Sequence, residues 1–104
     1  MNSGGRRGRG SVKLLGSLRG EGALAWNGQS LPVRYQLDLY EGQVGRTGNG
    51  SLDGPLGPLV DPDADTVAAT LRLADGFELA VTLAEIDDQG AMFEAGGDLP
   101  DPPR

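Results

Sequence analysis

Residues 31–39, LPVRYQLDL, decide the fold of this chain, because apolar and polar side chains alternate in them without a break. The apolar side chains share one parity and belong to Leu31, Val33, Tyr35, Leu37 and Leu39. Successive side chains of a strand point to opposite faces, so a period of two predicts a β-strand with one buried face. The side chains between them are expected to face solvent.

A two-residue turn is predicted immediately before this strand. Asn27-Gly28 is a strong hairpin signal, since both residue types accept the positive φ of a tight turn. Pairing Trp26 with Gln29 places Leu24 opposite Leu31, so the apolar side chains of both strands lie on one face. The turn and the apolar pattern therefore predict the same register.

A second apolar repeat surrounds Asp75-Gly76, with apolar side chains at alternate positions on both sides. A two-residue turn there would pair Leu73 with Glu78 and split the apolar face. A three-residue loop instead pairs Leu73 with Phe77, which predicts a type I turn, a left-handed Gly76 and a β-bulge. The further apolar pairs expected from this register are Leu71–Leu79, Ala69–Val81 and Val67–Leu83.

The segments on either side of the first hairpin are less regular. Residues 12–26 form either a hairpin or one long strand bent at Gly20, because apolar residues of even parity continue through them. Glu41-Gly42 is expected to turn the chain so that Leu39 pairs with Val44.

The second half of the chain contains one strand rich in glycine, one long loop and one short strand. Glycines in the strand predicted over 44–54 permit the kinks that let a sheet close on itself. Residues 55–66 contain three prolines and cannot form a central strand. The apolar residues of this loop, expected to cover one end of the core, are Leu56, Leu59 and Val60. A last strand ends near Ala95, with Phe93 able to face either way.

These segments predict an all-β fold in a single small domain over residues 11–97. Six or seven antiparallel strands form a meander, arranged as a partly open barrel or a compact sandwich. Residues 1–10 are predicted to be a disordered Arg/Gly-rich tail, and residues 98–104 a loose, Pro-rich C-terminal tail. The inward side chains are expected to include Leu14, Leu24, Trp26, Val33, Tyr35, Leu37, Leu71, Phe77, Leu79 and Val81.

The residue types present restrict the chemistry. The 104 residues include no Cys and no His, which excludes disulfides, thiolate nucleophiles, Ser-His-Asp triads and Cys/His zinc sites. The carboxylates are scattered, mostly in turns, where Asp is favoured for backbone reasons. Residues 61–65, DPDAD, open like a calcium loop but have Thr66 and Arg72 where such a loop needs Gly and Glu. We therefore expect no enzymatic activity, no cofactor and no metal site.

Charge and hydropathy suggest the compartment and argue against two classes of partner. The net charge is −6, although residues 1–10 contain three arginines and no acid. An acidic body repels nucleic acid and anionic membranes, so neither is an expected partner. No apolar run approaches the ~20 residues that span a bilayer, and no secretory signal is evident. The chain is expected to be cytoplasmic.

Residues 49–54, NGSLDG, match the pattern Asx-x-Ser-x-x-Gly. In this motif, and in the strand–turn–strand layout around Asp75-Gly76, the chain resembles the PilZ domains, small β-barrels that bind cyclic di-GMP. The resemblance implies a cyclic dinucleotide site that includes Asn49 and Ser51, with arginines pairing with the phosphates. The arginines of residues 1–10 do not have the RxxxR spacing of that family.

The candidate binding residues combine the outward face of the long strand with this motif. An exposed tyrosine beside an arginine is typical of protein interfaces. The candidates for contacting a ligand or partner are Trp26, Arg34, Tyr40, Asn49, Ser51 and Arg72. The sequence thus predicts a non-enzymatic binding or interaction module, acting on a protein partner or forming a homodimer through its edge strands. The alternative is a barrel that binds a small ligand, either apolar or a cyclic dinucleotide.

Overall fold

Six antiparallel strands are present in the part of the chain that the computed structural model describes, residues 12–43 and 45–102. The strands are β1 (Lys13–Trp26), β2 (Gln29–Gly42), β3 (Gly45–Asp53), β4 (Thr66–Arg72), β5 (Glu78–Ala84) and β6 (Gly90–Gly96). They form a closed barrel in the order β1-β2-β3-β6-β5-β4. The predicted all-β class is confirmed. Of the two predicted arrangements, a barrel and a sandwich, the structure has a barrel, and this barrel is closed.

The order of the strands departs from a meander at one connection. β3 pairs with β6 rather than with β4, and β4 instead pairs with β1 to close the barrel. The connection from β3 to β4 contains a short 3-10 turn at Gly57–Leu59. Its Leu56 and Leu59 are fully buried, as predicted, whereas Val60 is 46% exposed, so its predicted packing is wrong.

The first hairpin has the predicted register. Trp26 pairs with Gln29 and Leu24 with Leu31. Asn27 and Gly28 have φ values of 52° and 80°, which is the geometry of a type I′ turn.

The hairpin between β4 and β5 also has the predicted register, and its other apolar pairs match. The Leu73 amide donates to the Phe77 carbonyl at 2.8 Å, and the Gly76 amide donates to the Leu73 carbonyl at 2.9 Å. Gly76 has a φ of 93°. The three-residue loop with a left-handed glycine is confirmed.

Residues 13–26 form one long strand, which resolves the alternative left open for this segment. Leu14 pairs with Tyr40 but Gly16 pairs with Leu39, so Leu15 is an extra residue in β1. A bulge of one residue reverses which face the following side chains occupy. Leu14 is consequently 55% exposed, and the prediction that it faces inward is wrong.

The turn between β2 and β3 lies further along the chain than predicted. β2 continues to Gly42, which pairs with Gly45, and Leu39 pairs with Gly48 rather than with Val44, a residue outside the described ranges. The inward positions of this part of β3 are held by Gly48 and Gly50, which are buried. Glycine carries no apolar signal, so the period-two pattern could not locate this strand.

The core fills the interior of the barrel and extends along the long hairpin. Its buried side chains are Leu24, Val33, Tyr35, Leu37, Leu39, Leu52, Leu56, Leu59, Leu71, Leu73, Leu79, Val81, Leu83, Ala91 and Phe93. Trp26 and Phe77 are partly buried and pack against this core. Phe93 faces inward, opposite Gly50.

Three residues of the C-terminal segment lie against the barrel. Leu99 contacts the core and Pro100 is buried. Asp101 lies 3.6 Å from Arg46 of β3. The boundary between the domain and a C-terminal tail at residue 97 stays a prediction. The predicted N-terminal tail lies outside the described residues.

We expect Gly76→Ala to lower the free energy of unfolding by about 1–2 kcal/mol, because an alanine is strained at a positive φ. An added Cβ meets no atom within 4 Å at this position, so the cost is conformational alone. Gly96→Ala is the matched control, with equally open space and no positive φ. Urea unfolding should show the control within about 0.5 kcal/mol of the parent chain. Equal losses for both variants would contradict the assignment.

Candidate functional site

The outer side of the first three strands is a continuous polar surface. The registers place Arg34 between Glu21 and Asp53, and they place Gln36 between Arg19 and Ser51. We call this face of β1–β3 the outer polar surface; its side chains belong to Ser17, Arg19, Glu21, Arg34, Gln36, Asp38, Tyr40, Thr47, Asn49, Ser51 and Asp53.

Hydrogen bonds order one part of the outer polar surface. The Ser17 hydroxyl donates to Asp38 Oδ1 at 2.6 Å, and Gln36 Nε2 donates to the same oxygen at 3.5 Å. Arg34 Nη2 lies 3.9 Å from Glu21 Oε2, with both side chains well exposed. Such exposed pairs contribute ~1 kcal/mol at most.

Three charges of this surface have no ionic partner among the described residues. Arg19 forms no ion pair with any of them, and neither do Asp38 and Asp53. Asp38 accepts hydrogen bonds, but only from neutral groups. The three side chains are therefore the open electrostatic contacts of the outer polar surface.

An open groove of about 370 Å³ lies across this surface. Its lining residues are Arg19, Gly20, Glu21, Arg34, Tyr35, Gln36, Ser51 and Asp53. A second concavity of about 330 Å³ adjoins it and shares Glu21, Arg34 and Asp53. Both are open to solvent, and the barrel interior is occupied by its own leucine side chains. The connection that packs Leu56 and Leu59 into the core contributes no residue of 55–65 to these grooves.

The structure brings together some of the predicted site residues and separates others. Arg34 and Ser51 line the groove. Asn49 and Tyr40 lie further along the same sheet face, opposite Asp38 and Thr47. The four share one surface, although the period-two pattern indicated this only for Arg34 and Tyr40 on β2.

Trp26 and Arg72 lie elsewhere. Trp26 is at the end of β1, beside the turn, and packs against the core. Arg72 is on β4, where its Nη2 atom lies 2.8 Å from Glu78 Oε2 of β5. Arg72 is thus engaged in a cross-strand pair on the other side of the barrel seam.

The residues that were missed are Arg19, Glu21 and Asp53. Extending the register of the Asn27-Gly28 hairpin backwards along β1 would have placed Arg19 opposite Gln36 and Glu21 opposite Arg34. Asp53 could not be found in this way, because its position depends on the pairing of β2 with β3.

The glycines of the 49–54 motif have a packing role. A Cβ added to Gly50 would collide with the Gln36 carbonyl oxygen, and one added to Gly54 would lie 2.7 Å from the Pro32 carbonyl oxygen. Leu52 between them is buried in the core. Close approach of the strands therefore explains these positions without any ligand. The arginines that the PilZ resemblance would require lie in residues 1–10, outside the described ranges.

β1 has a neighbouring strand along the whole of one side but along only a short part of the other. β2 pairs along the whole of β1, whereas β4 pairs only with Ala23–Ala25. Gly22 still lies against the Arg72 carbonyl group at the end of β4. Residues 13–21 have no strand beside them on the β4 side in the described part of the chain, and we call this stretch the free edge. Beside its N-terminal end, Val12 is 59% and Leu14 55% exposed.

A third concavity, of about 380 Å³, lies on the outside of β3, β6, β5 and β4. Met92, one of its lining residues, is 49% exposed. Glu85, another lining residue, has a φ of 50°, which is unusual for a residue other than glycine. Apart from Phe93, the remaining lining residues are small or polar, and nothing in the structure indicates an occupant.

Residues 12–43 and 45–102 contain neither a cluster placed to hold a metal ion nor a membrane-spanning helix, and several of their turn carboxylates have a structural role. No cluster of three or more acidic side chains is placed to hold a metal ion. No helix in these ranges is long and apolar enough to cross a membrane. The acidic residues 61, 75 and 87 use a carboxylate oxygen to accept amide hydrogen bonds within their own turns.

Three comparisons with known proteins give no match for this chain. No protein-family model matches its sequence, and neither a curated protein nor a solved structure matches it. Its function must therefore be inferred from its own surfaces and strand edges.

We expect Gly50→Ala to destabilise the fold by about 3 kcal/mol or more, because the methyl group meets backbone that cannot move without separating β2 from β3. Gly57→Ala is the matched control, since its added Cβ would meet only the Asp88 Cβ, at 4.0 Å. Thermal or urea unfolding measures both. If Gly50→Ala unfolds like the parent chain, the packing explanation of the motif is wrong.

Proposed function

We propose that this chain is a non-catalytic binding module that takes up an extended segment of a protein partner, or of a second copy, along the free edge of β1. The observation that carries the proposal is the short contact between β1 and β4. β1 has 14 residues, yet only Ala23–Ala25 pair with β4. A long strand with one open side is the surface to which extended segments add in β-augmentation.

The backbone of the free edge supports this proposal. In a two-residue hairpin the residues that flank the turn form a hydrogen-bonded pair, so Trp26 bonds to β2, as does every second residue before it. The intervening residues direct their N–H and C=O groups away from β2. Along the free edge these outward backbone groups belong to Ser17, Arg19 and Glu21.

The middle of the free edge lacks the features that protect other edges. Proteins commonly block exposed edge strands with proline, β-bulges, lysine, inward charges or short length. β1 contains no proline, and both its lysine at position 13 and its bulge at Leu15 lie at the N-terminal end of the strand. An edge left open in this way is suited to pairing with another segment.

The outer polar surface supplies side chains that can select the segment. The outward side chains of an added strand would lie next to Ser17, Arg19 and Glu21, and the groove begins at Arg19 and Glu21. Main-chain bonds provide affinity in such complexes, and alternate side chains provide specificity. Of the candidate residues from the sequence, Arg34 and Ser51 lie one and two strands further from the edge.

Site-specific crosslinking tests the proposal. A photoreactive amino acid in place of Ser17 should give one crosslinked species in lysate, identified by mass spectrometry. Arg19→Pro should abolish it, because proline removes an N–H that points outward while leaving the ladder to β2 intact. Arg19→Ala, which keeps the N–H, should retain it at least in part. The same photoreactive residue in place of Thr82, on β5, is the positional control.

Crosslinking that survives Arg19→Pro, or that is equally strong from position 82, would contradict binding at the free edge. Circular dichroism of each variant establishes that the barrel is folded, so that loss of crosslinking reports on the edge itself.

A second candidate function is supported by the groove. Its two arginines, with the Gln36 amide and the Ser51 hydroxyl, are groups that hold small anionic ligands. We expect cyclic di-GMP, the ligand implied by the 49–54 motif, to stabilise the fold by ~2.7 kcal/mol at 100 times its dissociation constant if it binds there. Thermal unfolding of the parent chain and of Arg34→Ala, with and without the nucleotide, decides this. No shift for the parent chain, or the same shift for both, would exclude the groove as its site.

A further inference from the structure

We propose that the segment bound at the free edge is β1 of a second copy, paired antiparallel about a two-fold axis at Leu18. This inference rests on the proposed function and names the partner. It is drawn from three observations on β1 and β2. These are the direction of the free backbone groups, the unpaired charges of Arg19 and Asp38, and the glycines on either side of Leu18.

The backbone groups match in this register. Antiparallel pairing about Leu18 places Ser17 of one copy opposite Arg19 of the other, and Arg19 opposite Ser17. Both residues direct their N–H and C=O groups to the free edge, so each forms a hydrogen-bonded pair across the interface. A two-fold axis makes the interface closed, and it leaves the pairing of β1 with β2 and β4 unchanged.

The charges are complementary in the same register. Ser17 lies between the incoming strand and Asp38, and its hydroxyl is 2.6 Å from Asp38 Oδ1. Arg19 of the second copy would lie beside Ser17, with Asp38 one further strand spacing of about 4.8 Å away. An extended arginine side chain spans this distance. Arg19 and Asp38 would thus neutralise each other twice, once on each side of the axis.

The inner face of the free edge brings few side chains to this contact. Leu18 is partly buried and would meet Leu18 of the second copy at the axis, as a pair with no backbone hydrogen bond between the two residues. Its neighbours on that face are Gly16 and Gly20, and each would lie opposite the other across the axis. The inner side of Gly20 is filled by its own chain, since an added Cβ would lie 2.8 Å from the Tyr35 hydroxyl oxygen and 3.4 Å from Ala74 Cβ. The leucine pair is therefore flanked by a glycine on either side.

Sedimentation equilibrium on the full chain, over a wide range of protein concentration, tests the inference. The parent chain should show a monomer–dimer equilibrium. Arg19→Asp and Asp38→Arg should each raise the dissociation constant about tenfold or more, because each places like charges across the interface. The double variant Arg19→Asp/Asp38→Arg should restore dimerisation. Glu94→Arg, an exposed acid on β6, is the matched control for charge and should leave the dissociation constant unchanged or slightly lower.

The outcomes separate this inference from the proposed function. A monomeric parent chain, or a double variant as weak as the singles, overturns the two-fold pairing. In either case, the photoreactive residue at position 17 is then tested for a crosslink to a protein other than a second copy. If Arg19→Pro abolishes that crosslink, the proposed function stands without the dimer. A dimer that persists in Arg19→Pro overturns the pairing through β1.

Discussion

The barrel depends on a ladder of three residue pairs, in which Ala23, Leu24 and Ala25 of β1 meet Arg72, Leu71 and Thr70 of β4. This is the only β1–β4 pairing in the described chain. Without it the six strands would form an open sheet with β1 at one edge and β4 at the other. The approach is close: a Cβ on Gly22 would collide with the Arg72 carbonyl oxygen. The seam is further held from inside the barrel, where the Tyr35 hydroxyl accepts a hydrogen bond from the Ala74 amide at 3.0 Å.

The shortness of this seam has consequences for the surface. β1 and β2 are each 14 residues long, whereas β4 and β5 have seven, so the long hairpin must extend past the β4–β5 turn. Leu99 of the C-terminal segment packs against the core. The edge of β1 that extends past the β4–β5 turn has no strand beside it in the described chain. Closure of a barrel from strands of unequal length therefore creates the free edge on which the proposed function rests.

The polar chemistry of the molecule follows from the same arrangement. A six-stranded barrel has an interior just large enough for its own side chains, and this one is filled mainly by leucine. Under the proposed function, recognition therefore takes place on the outside. The side chains there alternate with core residues, so Arg34, Gln36 and Asp38 are held at fixed spacing by the burial of Val33, Tyr35 and Leu37. The core thus positions the groups that would select a partner.

Local sequence patterns predicted the parts of the fold in which turn chemistry and apolar parity agree. At Asn27-Gly28 and Asp75-Gly76 the backbone preference of glycine and the apolar alternation both specify one register, and the structure has those registers. Where one of the two signals is missing, prediction failed. Residues 45–50 have glycines at the inward positions, so the turn was placed too early and Asp53 was missed.

The sequence by itself determined the strands, the two hairpin registers and the residue types available for chemistry, because each of these depends on neighbours a few residues apart. Only the tertiary structure decided the order of the strands, the reversal at Leu15 and the length of the seam. These features depend on how six strands of different length fit around one core. Contacts such as Gly22 with Arg72, and Gly50 with Phe93, join residues about 40 to 50 positions apart, and no local pattern specifies them.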